Sequence, residues 1–204
     1  MKQRSIAIIC ACALVASAMP LWAQQDETKK TTQTVIETQR AGSQTIALSV
    51  GGNIPLFILP VDAEATETST LGVGASFGLQ YQYFIANHIS LGGSLFGSFA
   101  TTLAGESLFI APISAHVGYW WDAAPMEYTA GMDLGMTVMR LSGDGMLTPF
   151  AKLGGGAFYK IDNSWYIGGQ GYLWFIPEIH TGSYSSLTRY GAFVEISASA
   201  VYHF

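Results

Sequence analysis

The chain is poor in cysteine, in charge and in long apolar runs, and each shortage closes off a class of protein. Its two cysteines, Cys10 and Cys12, fall in the apolar stretch at the N-terminus. A chain cut after Ala18 or Ala23 has none, so it carries no disulfide framework and no cysteine/histidine metal spacing. Either cysteine, read instead as a lipid attachment site, leaves too short an apolar stretch before it. Charged residues make up 11% of the 204, and a formal net charge of -5 gives no basic patch for nucleic acid. There is no phosphate-cradling glycine loop. After the leader, no run reaches the roughly 20 apolar residues of a transmembrane helix. Half of the residues are nonetheless hydrophobic.

The N-terminus reads as a secretory signal over 1–23, with Lys2 and Arg4 ahead of an apolar core from Ile6 to Val15. Cleavage fits after Ala18 or after Ala23. An uncleaved anchor would need a longer apolar helix. Residues 24–42 (QQDETKKTTQTVIETQRAG) are too polar to order themselves and read as a flexible periplasmic tail.

What the rest of the chain has is alternation. From Thr188 to Phe204, Tyr190, Ala192, Val194, Ile196, Ala198, Ala200, Tyr202 and Phe204 share one parity, and Arg189, Gly191, Glu195, Ser197, Ser199 and His203 share the other. Only a strand sorts side chains this way, because successive Cβ atoms point to opposite faces. The pattern recurs over about 44–54, 70–84, 89–100, 109–121, 128–140, 149–161 and 165–176, giving eight segments each long enough for a tilted strand to cross a bilayer. One face is apolar. The other is mostly Gly, Ser, Thr and Gln. The 23 glycines concentrate in these stretches.

Connections alternate between short turns (85–87, 122–127, 162–164) and longer loops (55–69, 101–108, 141–148, 177–187), as in a membrane barrel with periplasmic turns and extracellular loops. Outward aromatics fall at two levels. Tyr81, Tyr83, Tyr119, Trp121, Tyr128, Tyr159 and Trp165, with Tyr202 and Phe204, form a periplasmic girdle, and Phe99, Phe109, Phe175 and Tyr190 mark the opposite rim. A soluble sandwich or lipocalin-like barrel would also alternate, but with charges outside. Here Asp133, Lys152, Lys160, Arg189 and Glu195 carry the inward parity, and Arg140 is the outward exception, at a strand end. The prediction is an all-β, eight-stranded antiparallel up-and-down transmembrane barrel over residues 43–204.

The predicted interior is uneven, with small groups on the first three strands facing Trp120, Phe150, Phe158, Tyr166, Tyr172, Trp174 and Phe193 on the later ones. An eight-stranded barrel is only just wide enough for side chains to fill. Asp133, Lys152, Lys160, Arg189, Glu195 and His116 are expected to form a lumen charge network, with Glu195 and Lys152 level near mid-barrel, because buried charges persist only when paired. No catalytic or metal set emerges. His88 lies in a turn, His116 and His203 in the lumen, and only His180, with Glu178, Ser183 and Ser185, could imitate a loop site. The methionines Met126, Met132, Met136, Met139 and Met146 read as filler.

The chain's end, Ile196, Ala198, Ala200, Tyr202 and a terminal Phe204, resembles the C-terminal signal of bacterial outer-membrane β-barrel proteins. Over Ser43 to Phe204 the pattern resembles the small barrels of the OmpX, OmpA-barrel and OmpW type, with no feature that singles out one subfamily. That resemblance implies residence in the outer membrane, with outer-membrane lipid and, through the C-terminal strand, the assembly machinery as partners. The placement of the histidines and the lack of metal spacing lead to the expectation of no cofactor and no enzymatic activity. Two roles are expected from the resemblance: passage of a small apolar solute through or along a narrow barrel, or a structural, adhesion or host-interaction role through the extracellular loops.

Overall fold

The computed structural model describes residues 41–60, 71–101, 106–141, 144–179 and 188–204. The leader, nearly all of the 24–42 tail, the acidic tip of the first loop, and His180, Ser183 and Ser185 lie outside them. The described residues form eight strands: β1 (Gln44–Pro60), β2 (Gly74–Ala86), β3 (Ile89–Thr101), β4 (Ser107–Ala123), β5 (Met126–Leu141), β6 (Asp144–Lys160), β7 (Trp165–Glu178) and β8 (Arg189–His203). Each pairs antiparallel with its neighbours in sequence, and β8 pairs with β1 to close the ring. Closure leaves no sheet edge for hydrocarbon to meet.

The register fixes the stagger. Starting at Thr45, register partners run through Gln82, Gly92, His116, Asp133, Lys152 and Trp174 to Phe193. Thr45 also pairs directly with His203, ten residues further along β8. A shear of ten over eight strands tilts the strands and makes residues distant in sequence level across the lumen.

Alternation becomes burial: β2 reads buried, exposed, buried, exposed over nearly its whole length. The exposed set is an apolar outer belt, with Val50 67% and Ile113 68% accessible. In water such a surface would aggregate; in a bilayer it is the solvated face.

β1, β4, β5 and β6 run further than their alternation predicted, whereas β2, expected from about 70, starts at Gly74; the extensions have causes. Residues 55–60, expected as loop, continue β1 to Pro60 by pairing with β8 across a bulge at Leu56. Beyond Asn53 no described β2 residue pairs with β1, so Pro55 and Pro60, which lack an N–H, sit where prolines are tolerated, at a bulge and along a strand paired on one side. The expected turn at 122–127 tightens to Ala124-Pro125, because Asp122 pairs with Glu127 and Ala123 with Met126. The 141–148 loop shortens likewise, with Leu141 paired to Asp144. The first turn moves on to Asn87 and His88, where His88 takes a left-handed φ of 70° and a bulge falls at Ile85.

Candidate functional site

The barrel interior is two apolar plugs with a polar layer between them. The upper plug, toward the longer loops, contains Phe96, Leu108, Ile110, Phe150, Tyr172, Trp174, Ile176 and Phe193. The lower one, toward the short turns, contains Ala47, Phe84, Trp120, Phe158, Tyr166 and Val201. The first three strands are less uniformly small than expected, because Phe84 and Phe96 both point inward and are buried. A Cβ on Gly78 would fall 2.2 Å from the Phe96 ring, so this glycine supplies the space the ring takes.

The charged residues sit at the junction of the polar layer and the upper plug. Lys152 Nζ lies 2.9 Å from Glu195 Oε2, and both side chains are about 1% accessible. Trp174 Nε1 donates to the same oxygen at 2.8 Å. One strand pair away, His116 Nδ1 is 3.1 Å from Asp133 Oδ2. Ser94 Oγ donates to Asp133 Oδ1, and Ser114 Oγ does so at 3.3 Å. Asp133 and Lys152 are cross-strand partners, so the two pairs are neighbours. The imidazole of His116 is seated between glycines: a Cβ on Gly131 would fall 2.6 Å from its ring, and one on Gly118 2.9 Å. Desolvated charges are tolerable when each finds a counter-charge and hydrogen bonds, and this arrangement provides both.

Serine, histidine and aspartate meet here, but Ser94 donates its hydrogen bond to the carboxylate rather than to the imidazole. A nucleophile needs the base on its own hydroxyl. Below the charges, Gln80, Gln82, His116, Gln170 and Thr129 line a cavity of ≈ 10 Å³, about what one water molecule needs. No group of three or more His, Cys, Asp or Glu able to hold a metal occurs among the described residues.

Two residues expected in the network stand apart. Arg189 is exposed at the longer-loop end of β8, opposite Glu178, six residues from Glu195; at the rim its guanidinium reaches water and avoids the cost of burial. Lys160 is half-buried at the short-turn end, its Nζ 5.6 Å from the Tyr166 ring centroid. Glu127, which a turn assignment hides, is buried in the lower plug 3.9 Å from His203 Nε2. Its inward parity with Asp133 was the available signal.

The outer wall carries the aromatics. Tyr81, Tyr83, Tyr119, Trp121, Tyr159 and Trp165 are exposed at the short-turn end, and Tyr128 is half-exposed. Trp121 stacks on Tyr128 at 5.9 Å, Tyr202 on Phe204 at 5.9 Å, and Trp165 lies 4.9 Å from Tyr202. Phe204 exchanges backbone hydrogen bonds with Gln44, extending the β1–β8 seam to the short-turn rim.

An apolar belt between aromatic rims on a closed, eight-stranded ring is a wall built for lipid. A protein-family model matches residues 24–202. The crystal structure of Neisserial surface protein A is similar, with a TM-score of 0.55 and 13% identity over 80% of this chain and 97% of that one. So is the outer membrane protein OprG from Pseudomonas aeruginosa, with a TM-score of 0.50 and 13% identity over 83% and 99%. The chain shares with these outer-membrane proteins the closed, eight-stranded antiparallel barrel. At these identities the likeness to solved structures is one of fold. No curated protein matches by sequence. In such a barrel the buried charges hold opposite walls together from inside, while lipid covers the belt.

Proposed function

We propose that this is a non-enzymatic, non-conducting barrel that acts through its extracellular end, as a surface structural or interaction protein. The observation that carries this reading is the filled lumen: apolar plugs above and below leave a cavity of ≈ 10 Å³ between them, far below the 300–1,000 Å³ typical of small-molecule sites. The working surface would then be the loops after β1, β3, β5 and β7, with Arg140, Arg189 and Glu178 near their bases. The decisive experiment is single-channel recording in planar bilayers, paired with uptake of small apolar probes into vesicles. Silence in both is expected; steady conductance or probe flux through the wild-type barrel would overturn the reading.

A second reading, a small apolar solute moving along the barrel, has one observation in its favour. A groove of ≈ 370 Å³ on the lipid-facing wall is lined by Leu48, Val50, Ile167, Ala198 and Ala200. Competition between a fluorescent acyl probe and candidate solutes would detect it.

In either role, residues 1–23 would direct export, residues 24–42 would remain periplasmic, and the strand ending in Tyr202 and Phe204 would be handed to the assembly machinery. Deletion of Phe204 should lower the amount of folded barrel in cells, and undiminished assembly would remove that role.

A further inference from the structure

The upper plug is arranged around a cation. Lys152 Nζ lies 3.4 Å from the Phe96 ring centroid, 4.0 Å from that of Tyr172 and 5.4 Å from that of Trp174, with Glu195 Oε2 at 2.9 Å. The lysine comes from β6. The rings come from β3 and β7, and the carboxylate from β8. Each of the five side chains is more than nine-tenths buried. Trp174 Nε1 holds Glu195 at 2.8 Å, so the carboxylate is oriented by a group other than the lysine. Gly78 provides the space in which the Phe96 ring lies over Nζ. Aromatic faces attract a desolvated cation through their quadrupoles, and a carboxylate beside them adds a charge that a neutral guest of the same size cannot match.

We infer that Phe96, Tyr172, Trp174 and Glu195 form a recognition site for a primary ammonium ion, whose resident ligand is the chain's own Lys152. The site is selective for charge as well as shape, and its occupant joins the wall of β3 to that of β6, β7 and β8. A site of this kind should still bind when the tether is cut. In Lys152→Ala the missing atoms beyond Cβ are those of n-propylammonium.

The test is to refold Lys152→Ala into phospholipid vesicles with n-propylammonium chloride, 1-propanol or sodium chloride, reading the urea midpoint and the tryptophan fluorescence. The variant alone should unfold at lower urea than wild type. Propylammonium should raise the midpoint saturably, with at least about tenfold preference over 1-propanol, and sodium chloride should not raise it. Adding Gly78→Ala should weaken the rescue by moving Phe96. Equal rescue by 1-propanol would mean simple cavity filling, and a folded variant indifferent to propylammonium would equally overturn the assignment. If Lys152→Ala does not fold, Lys152→Met, which restores bulk without charge, decides the matter. A midpoint below wild type, partly recovered by adding Glu195→Gln, supports the site; a midpoint equal to wild type refutes it.

Discussion

The two plugs are variations on one arrangement, and they differ in how tightly it is drawn. In the upper plug Lys152 meets Glu195 at 2.9 Å among Phe96, Tyr172 and Trp174. In the lower plug the ring of His203 lies 4.3 Å from that of Tyr166, 5.5 Å from Trp120 and 6.5 Å from Phe84, with Glu127 3.9 Å away. In water an ammonium keeps its charge well above neutral pH, so holding one charged in an apolar interior calls for a close counter-ion. Imidazole has an uncharged form near neutral pH and can pack among rings as an aromatic body. The lesson is that the chemistry of the basic group sets how close the carboxylate must come.

That contrast sets the order of effects. Glu195→Gln strands the buried ammonium and should cost about 3–5 kcal/mol in a urea titration in lipid, whereas Glu127→Gln should cost markedly less; equal losses would erase the distinction. Depth in the membrane gives a second contrast on the outer wall. Ile196→Arg, level with the upper pair, should cost about 2–4 kcal/mol, and Ile161→Arg, at the short-turn end, about 0–1. A reversed order would turn the assigned lipid face inside out. Trp174→Phe removes a donor to a charged oxygen and should cost about 1.5–3 kcal/mol, while Trp120→Phe removes a 3.0 Å bond to the neutral Gln82 amide and should cost about 0.5–1.5. The smallest effect lies below the lower plug. Asp162 accepts backbone hydrogen bonds from Ser164 at 2.7 Å and Trp165 at 2.8 Å, which hold its carboxyl below the usual range. Its contribution is present above the ordinary carboxylate pKa and is lost as pH falls through the lowered one. The protection of the Ser164 and Trp165 amides, taken relative to their intrinsic exchange rates at each pH, should therefore fall on acidification, and Asp162→Asn should flatten that dependence.

The strands and their faces were legible because a period of two survives any tilt or register. Ring closure was implied by the apolar outer face, since hydrocarbon tolerates no free edge. The strand ends were harder to read, because Pro55, Asp122, Glu127 and Asp144 are residue types of turns, and only pairing with a neighbour shows them to be strand. The level pairing of Lys152 with Glu195 followed from counting residues to the periplasmic ends. What surrounds them did not. Phe96 reaches Lys152 across the lumen through the stagger, and linear sequence does not display a shear of ten. Arg189 shares the inward parity yet lies beyond the level at which parity means burial.

The stagger has a further consequence. A ring of pleated strands is orientable only if its offset is even. With an odd offset it would resemble a Möbius band, in which the lumen face met the lipid face at the seam. A slip of one between β1 and β8 would set Thr45 against Tyr202 and turn a girdle tyrosine toward the core. Single-residue irregularities are therefore admissible only where they leave the closed part of the ring unchanged. The bulges at Leu56 and Ile85 lie at opposite ends of the wall, and a residue inserted between those levels should be expelled to one of them or prevent closure altogether.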